Sequence, residues 1–148
     1  MRSRLKMNRC KIVLLNKRLM ITRATQITIL VKDVDEAKKF YTEKLGFTVC
    51  VDQMFSPDWR YLAVAPQKDN ATIFELINAE TPEQQKLVGN QSGGQVFVMF
   101  HSSDIEGDYI AMKERGVVFH GAPATVPGGR GVGFEDLYGN QFDLYQPD

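Results

Sequence analysis

The sequence of 148 residues contains little cysteine, little histidine and no long apolar run. Its two cysteines, Cys10 and Cys50, are far apart and have no Cys-x-x-Cys pair or histidine cluster beside them. Neither a disulfide framework nor a structural zinc site is therefore predicted, and a reducing cytoplasm is the expected location. No apolar run approaches the ~20 residues of a membrane helix, so no membrane partner is expected.

Net charge is also absent, because 18 Lys and Arg residues balance 18 Asp and Glu residues. Seven basic residues and no acidic residue precede Thr22, which leaves 11 basic and 18 acidic residues beyond it. A body with this acidic excess is a poor nucleic-acid binder, since phosphate contacts need a basic face. We interpret residues 1–20 as a basic extension that is predicted to be disordered, or to lie upstream of a later start at Met7 or Met20. A nucleic-acid or membrane-binding arm is the alternative.

An internal repeat organises the rest of the chain. The segment Gln26–Phe47 resembles Phe97–Phe119, and the strand-like runs Ile73–Ile77 and Gln141–Tyr145 end the two copies. Each copy begins with an apolar strand and continues into an amphipathic helix before it returns to strands. We therefore predict an α+β fold for residues 21–148, made of two βαβββ modules at about 21–80 and 93–147.

The helices of the two copies carry matching start and stop signals. Asp33 is a predicted N-cap, Glu36 completes a capping box, and Gly46 suits the left-handed C-terminal position. The second helix is predicted from Asp104 to Arg115 and ends at Gly116. Predicted strands follow at Thr48–Val51, Tyr61–Ala65 and Ala71–Ile77, and at Val117–Phe119, near Gly131–Phe134 and at Gln141–Gln146.

Strand alternation places a polar residue on one face of the sheet in each module. Gln26 and Glu75 fall on this face in the first copy, and Asp143 falls there in the second copy. A polar side chain among apolar neighbours needs a partner, a ligand or a metal ion. These three residues are therefore candidate functional groups.

Two segments resemble motifs of the vicinal-oxygen-chelate superfamily, the family of glyoxalases, bleomycin-resistance proteins and extradiol dioxygenases. Ile29–Phe47 resembles the first motif, and Phe134–Leu144 resembles the closing motif with Leu137 in place of the usual proline. The resemblance extends over about Ile21 to Pro147. It implies paired βαβββ modules whose mixed sheets curl into a cup-shaped half-barrel with the helices outside. It also implies a homodimer, in which modules are sometimes exchanged between chains.

The same resemblance implies four metal-ligand positions, of which this chain fills three. Gln26, Glu75 and Asp143 match the first, second and fourth positions, whereas Phe97 occupies the third and cannot bind a metal. A change of register would bring Gln95 or His101 to that position instead. The implied cofactor is one divalent ion, Mg, Mn, Ni or Zn, and the hard oxygen ligands of the set favour Mg or Mn.

The implied functions fall into two classes. The first is a small-molecule-binding protein of unknown substrate with an incomplete metal-ligand set, and its predicted ligand contacts are Phe97, Trp59, Arg60, Arg130 and Tyr145. The alternative is a metal-dependent lyase or isomerase of the glyoxalase I type, with Glu75 or Asp143 as the catalytic base. An extradiol dioxygenase is disfavoured because neither His101 nor His120 matches a ligand position. Both histidines are expected to be near solvent or hydrogen-bonded.

Overall fold

Two four-stranded mixed sheets, each with one helix against it, make up the computed structural model, which describes residues 20–148. This arrangement confirms the predicted α+β fold of two βαβββ modules, and the sheets stay open rather than closing into a barrel. The basic extension lies outside the described residues, apart from Met20. No helix in residues 20–148 has the length and apolar character that crossing a bilayer requires.

Module 1 contains the first four strands, in the spatial order β1-β4-β3-β2. The β1 strand runs parallel to β4, and the other neighbours are antiparallel. Its elements are β1 (Gln26–Val31), α1 (Val34–Lys39), β2 (Thr48–Ser56), β3 (Trp59–Ala65) and β4 (Ile73–Asn78). A π-helical segment, Phe40–Lys44, continues α1 to the predicted helix end.

Module 2 repeats this order after a linker that contains a short helix, α2 (Pro82–Leu87). Its elements are β5 (Val98–His101), α3 (Ile105–Glu114), β6 (Ala124–Val126), β7 (Gly129–Glu135) and β8 (Gln141–Pro147). The spatial order is β5-β8-β7-β6, with β5 parallel to β8. The strand predicted at Val117–Phe119 contributes only an isolated bridge from Phe119 to Phe134, and β6 forms in a stretch where no strand was predicted.

The predicted N-cap of α1 forms, but the predicted capping box does not. Asp33 accepts hydrogen bonds from the backbone N–H groups of Asp35 and Glu36. The hydroxyl of Tyr138, from module 2, donates to the Glu36 carboxylate and accepts from the Asp33 N–H. Tyr138 therefore takes the place that Glu36 would fill in a capping box.

The hydrophobic core lies between the sheets and the helices. Alternate residues of β1 and β4 are buried on this side, as are alternate residues of β7 and β8: Ile29, Val31, Phe74, Leu76, Val132, Phe134, Phe142 and Leu144. Phe100 joins the modules, since its ring centroid is 5.5 Å from that of Phe47 and 5.6 Å from that of Phe74. The opposite, concave face of each sheet is left for polar residues and cavities.

A buried polar contact also holds the modules together. The Tyr41 hydroxyl in module 1 donates to Oδ2 of Asp136 in module 2 at 2.8 Å. Burial, followed by the charge of Asp136, raises the pKa of Tyr41 well above its usual value. Asp136 also accepts from the backbone N–H groups of Tyr138 and Asn140, so it organises the turn before β8.

Candidate functional site

On the concave face of module 1, Glu75 is held by hydrogen bonds within the sheet. It is 7% exposed, and its Oε2 accepts from Gln26 Nε2 at 2.6 Å and from the Thr28 hydroxyl at 3.3 Å. The Tyr61 hydroxyl donates in turn to Gln26 Oε1 at 2.6 Å. Burial, and then the charge of Glu75, raise the pKa of Tyr61. The carboxylate is thus satisfied by its own module.

Gln26 and Glu75, in this arrangement, do not fit a metal ion. Gln26 turns its amide nitrogen toward Glu75, because Tyr61 donates to the amide oxygen and an ionised carboxylate only accepts. A hard cation would need oxygen atoms from both side chains to face it. Within residues 20–148, no group of three or more His, Cys, Asp or Glu side chains is arranged to hold a metal. The two residues form a hydrogen-bonded polar pair rather than an open ligand set.

The remaining predicted metal ligand, Asp143, lies on the concave face of module 2. It is aligned with Met99 on β5 and with Gly133 on β7. His120 lies beyond Gly133, and its backbone N–H donates to the Gly133 carbonyl at 2.8 Å. Four neighbouring segments therefore place Met99, Asp143, Gly133 and His120 in one row across the sheet.

The missing side chain of Gly133 leaves a gap that two polar groups face. A β-carbon at Gly133 would lie 3.3 Å from His120 Nδ1 and 3.5 Å from Asp143 Oδ1. The other ring nitrogen of His120, Nε2, is 2.7 Å from Oε1 of Glu135. No residue in the described range 20–148 gives the Asp143 carboxylate a hydrogen bond or an ion pair.

A cavity of about 520 Å³ opens at this row of residues. Its wall is mostly apolar or small, and its polar side chains are His120, Asp143 and Tyr145. The remaining wall comes from Met99, Ala122, Ala124, Val126, Pro127, Gly131, Val132, Gly133 and Leu144. The Tyr145 hydroxyl donates to the Gly128 carbonyl at 2.7 Å, which fixes the ring at the cavity wall. This size and composition are typical of small-molecule sites.

The two arginines predicted as ligand contacts lie on the helix side of the sheets instead. Arg60 pairs with Asp52 at 2.7 Å and with Asp35 at 2.8 Å. Hydrogen bonds from Arg60, and then from Lys38, hold the pKa of Asp52 well below its usual range. Arg130 pairs in the same way with Glu106 and donates to the Pro123 carbonyl. Both arginines tie a strand to neighbouring structure.

Of the three predicted aromatic contacts, Tyr145 lies on the cavity wall, whereas Trp59 and Phe97 lie apart from it. Trp59 is 54% exposed, and its ring centroid is 4.9 Å from that of Phe55 at the tip of the β2–β3 hairpin. Phe97 stacks on Phe142 with the ring centroids 6.2 Å apart. Gln95 and His101, the alternatives to Phe97 at the third metal-ligand position, are both exposed, and His101 ends β5.

The sequence interpretation missed His120 and Gly133. His120 follows a stretch predicted as a short strand and belongs to no motif, so its place on the concave face was not evident. In the structure, the row Thr28, Glu75, Ala63 and Val51 of module 1 corresponds to Met99, Asp143, Gly133 and His120 of module 2. The sequence repeat matches Glu75 with Asp143, but the place of His120 in this row depends on pairing between distant segments.

Comparison with known proteins agrees with the fold. The model of the Glyoxalase/Bleomycin resistance protein/Dioxygenase superfamily matches residues 23–144. An uncharacterized protein of Shewanella frigidimarina is 39% identical over 121 residues, which are 81% of this chain and 90% of that protein. The crystal structure of UcmS2 superimposes with a TM-score of 0.74 at 31% identity, covering 85% of this chain and 98% of UcmS2.

A second solved structure is that of TnmS3, an antibiotic binding protein from Streptomyces sp. CB03234. It superimposes with a TM-score of 0.73 at 31% identity, covering 87% of this chain and 98% of TnmS3. The family model spans most of the chain, and the relatives align over nearly their whole lengths. The chain belongs to the glyoxalase, bleomycin resistance protein and dioxygenase superfamily.

Proposed function

We propose that this protein binds a small, mostly apolar molecule in the cavity of module 2. The observation that carries the proposal is the cavity of about 520 Å³, whose apolar wall surrounds a few polar groups. Pockets of roughly 300–1,000 Å³ with such walls hold drug-sized ligands in other proteins. Shape and burial supply the affinity here, and Asp143 and His120 supply the orientation.

The similarity to TnmS3 supports a binding role. That protein is described as an antibiotic binding protein, and it aligns with 87% of this chain. Fold alone does not assign a function, so the argument rests on the site. In this chain, Glu75 is engaged by its neighbours, whereas the concave face of module 2 carries the cavity.

A matched pair of substitutions on β6 tests the binding proposal. Ala124 lines the cavity, whereas Thr125 is exposed and points to the other side of the strand. Ala124→Phe should fill the cavity and weaken binding of the apolar dye Nile red by roughly tenfold or more. The measurement is a fluorescence titration of the dye.

Thr125→Phe is the control, because it adds the same side chain to the same strand outside the cavity. It should leave the dissociation constant of Nile red unchanged. Equal binding by both variants, or no binding by the wild type, would show that the cavity of module 2 is not the ligand site.

A metal-dependent lyase or isomerase is the second candidate function. It is favoured by Glu75, a buried carboxylate beside an amide on the concave face. Binding of Mn, Mg, Ni or Zn would require Gln26 to turn its oxygen toward the ion. Titration of each metal into the wild type and Glu75→Gln tests this. Stoichiometric binding that the substitution abolishes would favour the enzyme, and no binding by the wild type would exclude it.

A further inference from the structure

We propose that the cavity of module 2 selects ligands that carry a protonated primary amine, bound between the Asp143 carboxylate and Nδ1 of His120. This inference rests on the proposed function, because it names the ligand class of the same cavity. The two acceptor atoms face one gap, since each lies within 3.5 Å of the position that a β-carbon on Gly133 would take.

The first argument comes from the difference between the two acids of the repeat. Glu75 receives hydrogen bonds from Gln26 and Thr28. The residues at the corresponding positions of module 2 are Phe97 and Met99, and neither side chain can donate a hydrogen bond. Asp143 is therefore left without the donors that satisfy its counterpart.

The second argument is electrostatic. The arginine at the matching place in each module points away from the concave face and is paired with a carboxylate, Arg60 with Asp35 and Arg130 with Glu106. The cavity wall contains no lysine or arginine. A half-buried carboxylate without donors costs free energy, which a cation supplied by a ligand would offset.

The third argument concerns the orientation of His120. The Glu135 carboxylate only accepts, so the proton of a neutral imidazole lies on Nε2, which is 2.7 Å from Glu135 Oε1. Nδ1 then presents a lone pair to the gap beside Gly133. Gln141 also donates to Glu135, at 3.4 Å, which helps to hold the pair in place.

Two acceptors at one gap favour a donor group with several N–H bonds. A primary ammonium group has three, and it also carries the charge that Asp143 lacks nearby. An anionic ligand would meet Asp143 and Glu135 without a compensating cation. The expected order of affinity is amine, then neutral alcohol, then carboxylate, for ligands that share one apolar body.

Three naphthalene probes test this order: 1-naphthylmethylamine, 1-naphthylmethanol and 1-naphthoate. Competition with Nile red should show the amine binding about tenfold or more tightly than the alcohol, as expected for charge-assisted hydrogen bonds. Asp143→Asn should remove this preference and leave alcohol binding intact. Asp58→Asn is the control, since it makes the same change of charge at an exposed residue of the β2–β3 turn. It should keep the preference.

A second variant separates the role of His120 from that of Asp143. His120→Phe keeps a ring at the cavity wall but removes Nδ1, so the amine preference should fall while the alcohol still binds. Equal binding of amine and alcohol by the wild type would overturn the amine inference. This result is expected if the His120 imidazolium already lies between Glu135 and Asp143, because Asp143 would then need no cation from the ligand. The binding proposal would still stand in that case, because it fails only if the wild type does not bind Nile red or if that binding does not depend on Ala124.

Discussion

Equivalent residues of the two modules have acquired different environments. Glu75 is 7% exposed and bonded to Gln26 and Thr28, whereas Asp143 is half-buried beside Met99 and Gly133. A few side-chain differences separate these cases, because the backbone pairing around the acids is the same. One acid therefore belongs to a polar network inside module 1, and the other is available to a ligand.

The network in module 1 predicts a stability effect for Gln26→Leu. The substitution leaves Glu75 with the Thr28 hydroxyl as its donor among the described residues, and it leaves Tyr61 without its acceptor. Loss of a donor to a buried carboxylate should lower the free energy of unfolding by about 1–3 kcal/mol. Urea unfolding measures the change. Gln53→Leu, at an exposed position of β2, makes the same replacement and should have little effect. Equal stability of the two variants would contradict the structural role of Gln26.

Single residues were predictable where alternation along one strand decides their place. Gln26 and Glu75 could be put on a common face because β1 and β4 are regular. His120 could not, since its contact with Gly133 and its neighbourhood with Asp143 depend on pairing between distant segments. The orientation of Arg60 and Arg130, away from the predicted site, could not be foreseen, because neither residue lay within a predicted strand.

At the level of elements, local signals predicted the helices well and some strands poorly. The N-caps Asp33 and Asp104 both accept backbone hydrogen bonds at the start of their helices. The capping box of α1 does not form, because the hydroxyl of Tyr138, 102 residues from Glu36, binds both the Asp33 N–H and the Glu36 carboxylate, which would otherwise pair with each other. The linker helix α2 went unpredicted although Thr81 and Gln84 form a complete capping box.

Strand positions were predicted wrongly mainly where pairing with a distant strand, rather than local composition, decides them. The β6 strand lies in a stretch rich in Pro and Gly that local composition describes as a loop. It forms because β7 offers a partner at Gly129–Gly131. The free edge of β1 is likewise covered by a residue distant in sequence. The Gln91 side chain accepts a hydrogen bond from the Leu30 N–H and donates one to the Thr28 carbonyl. Contacts of this kind are not visible in a short window of sequence.

At the scale of the whole molecule, the repeat made the fold predictable, but the packing of the two modules against each other could not be predicted. The modules are joined through Phe100 and through the bond from Tyr41 to Asp136. This packing leaves both concave faces open. The cavity wall contains residues of module 2 alone, while Phe55 and Trp59 of module 1 are 53% and 54% exposed.

Exposed aromatic side chains beside an open concave face lead us to propose a homodimer in which a second copy covers this region. Large apolar residues clustered at a surface mark interaction sites in soluble proteins. Light scattering should give the mass of a dimer for the wild type and a lower mass for Trp59→Asp. Ile110→Asp is the matched control, because Ile110 on α3 is equally exposed, at 54%, and lies away from the hairpin.

The pattern of masses decides where the interface lies. A dimeric Ile110→Asp variant with a monomeric Trp59→Asp variant would place the contact at the β2–β3 hairpin, and weaker Nile red binding by that monomer would mean that the partner helps to close the cavity. Dissociation of both variants would point to a general loss of folding, which thermal unfolding would reveal. A wild type that stays monomeric at high micromolar concentration would leave the cavity of module 2 as the whole site, because no second chain would then be present to cover it.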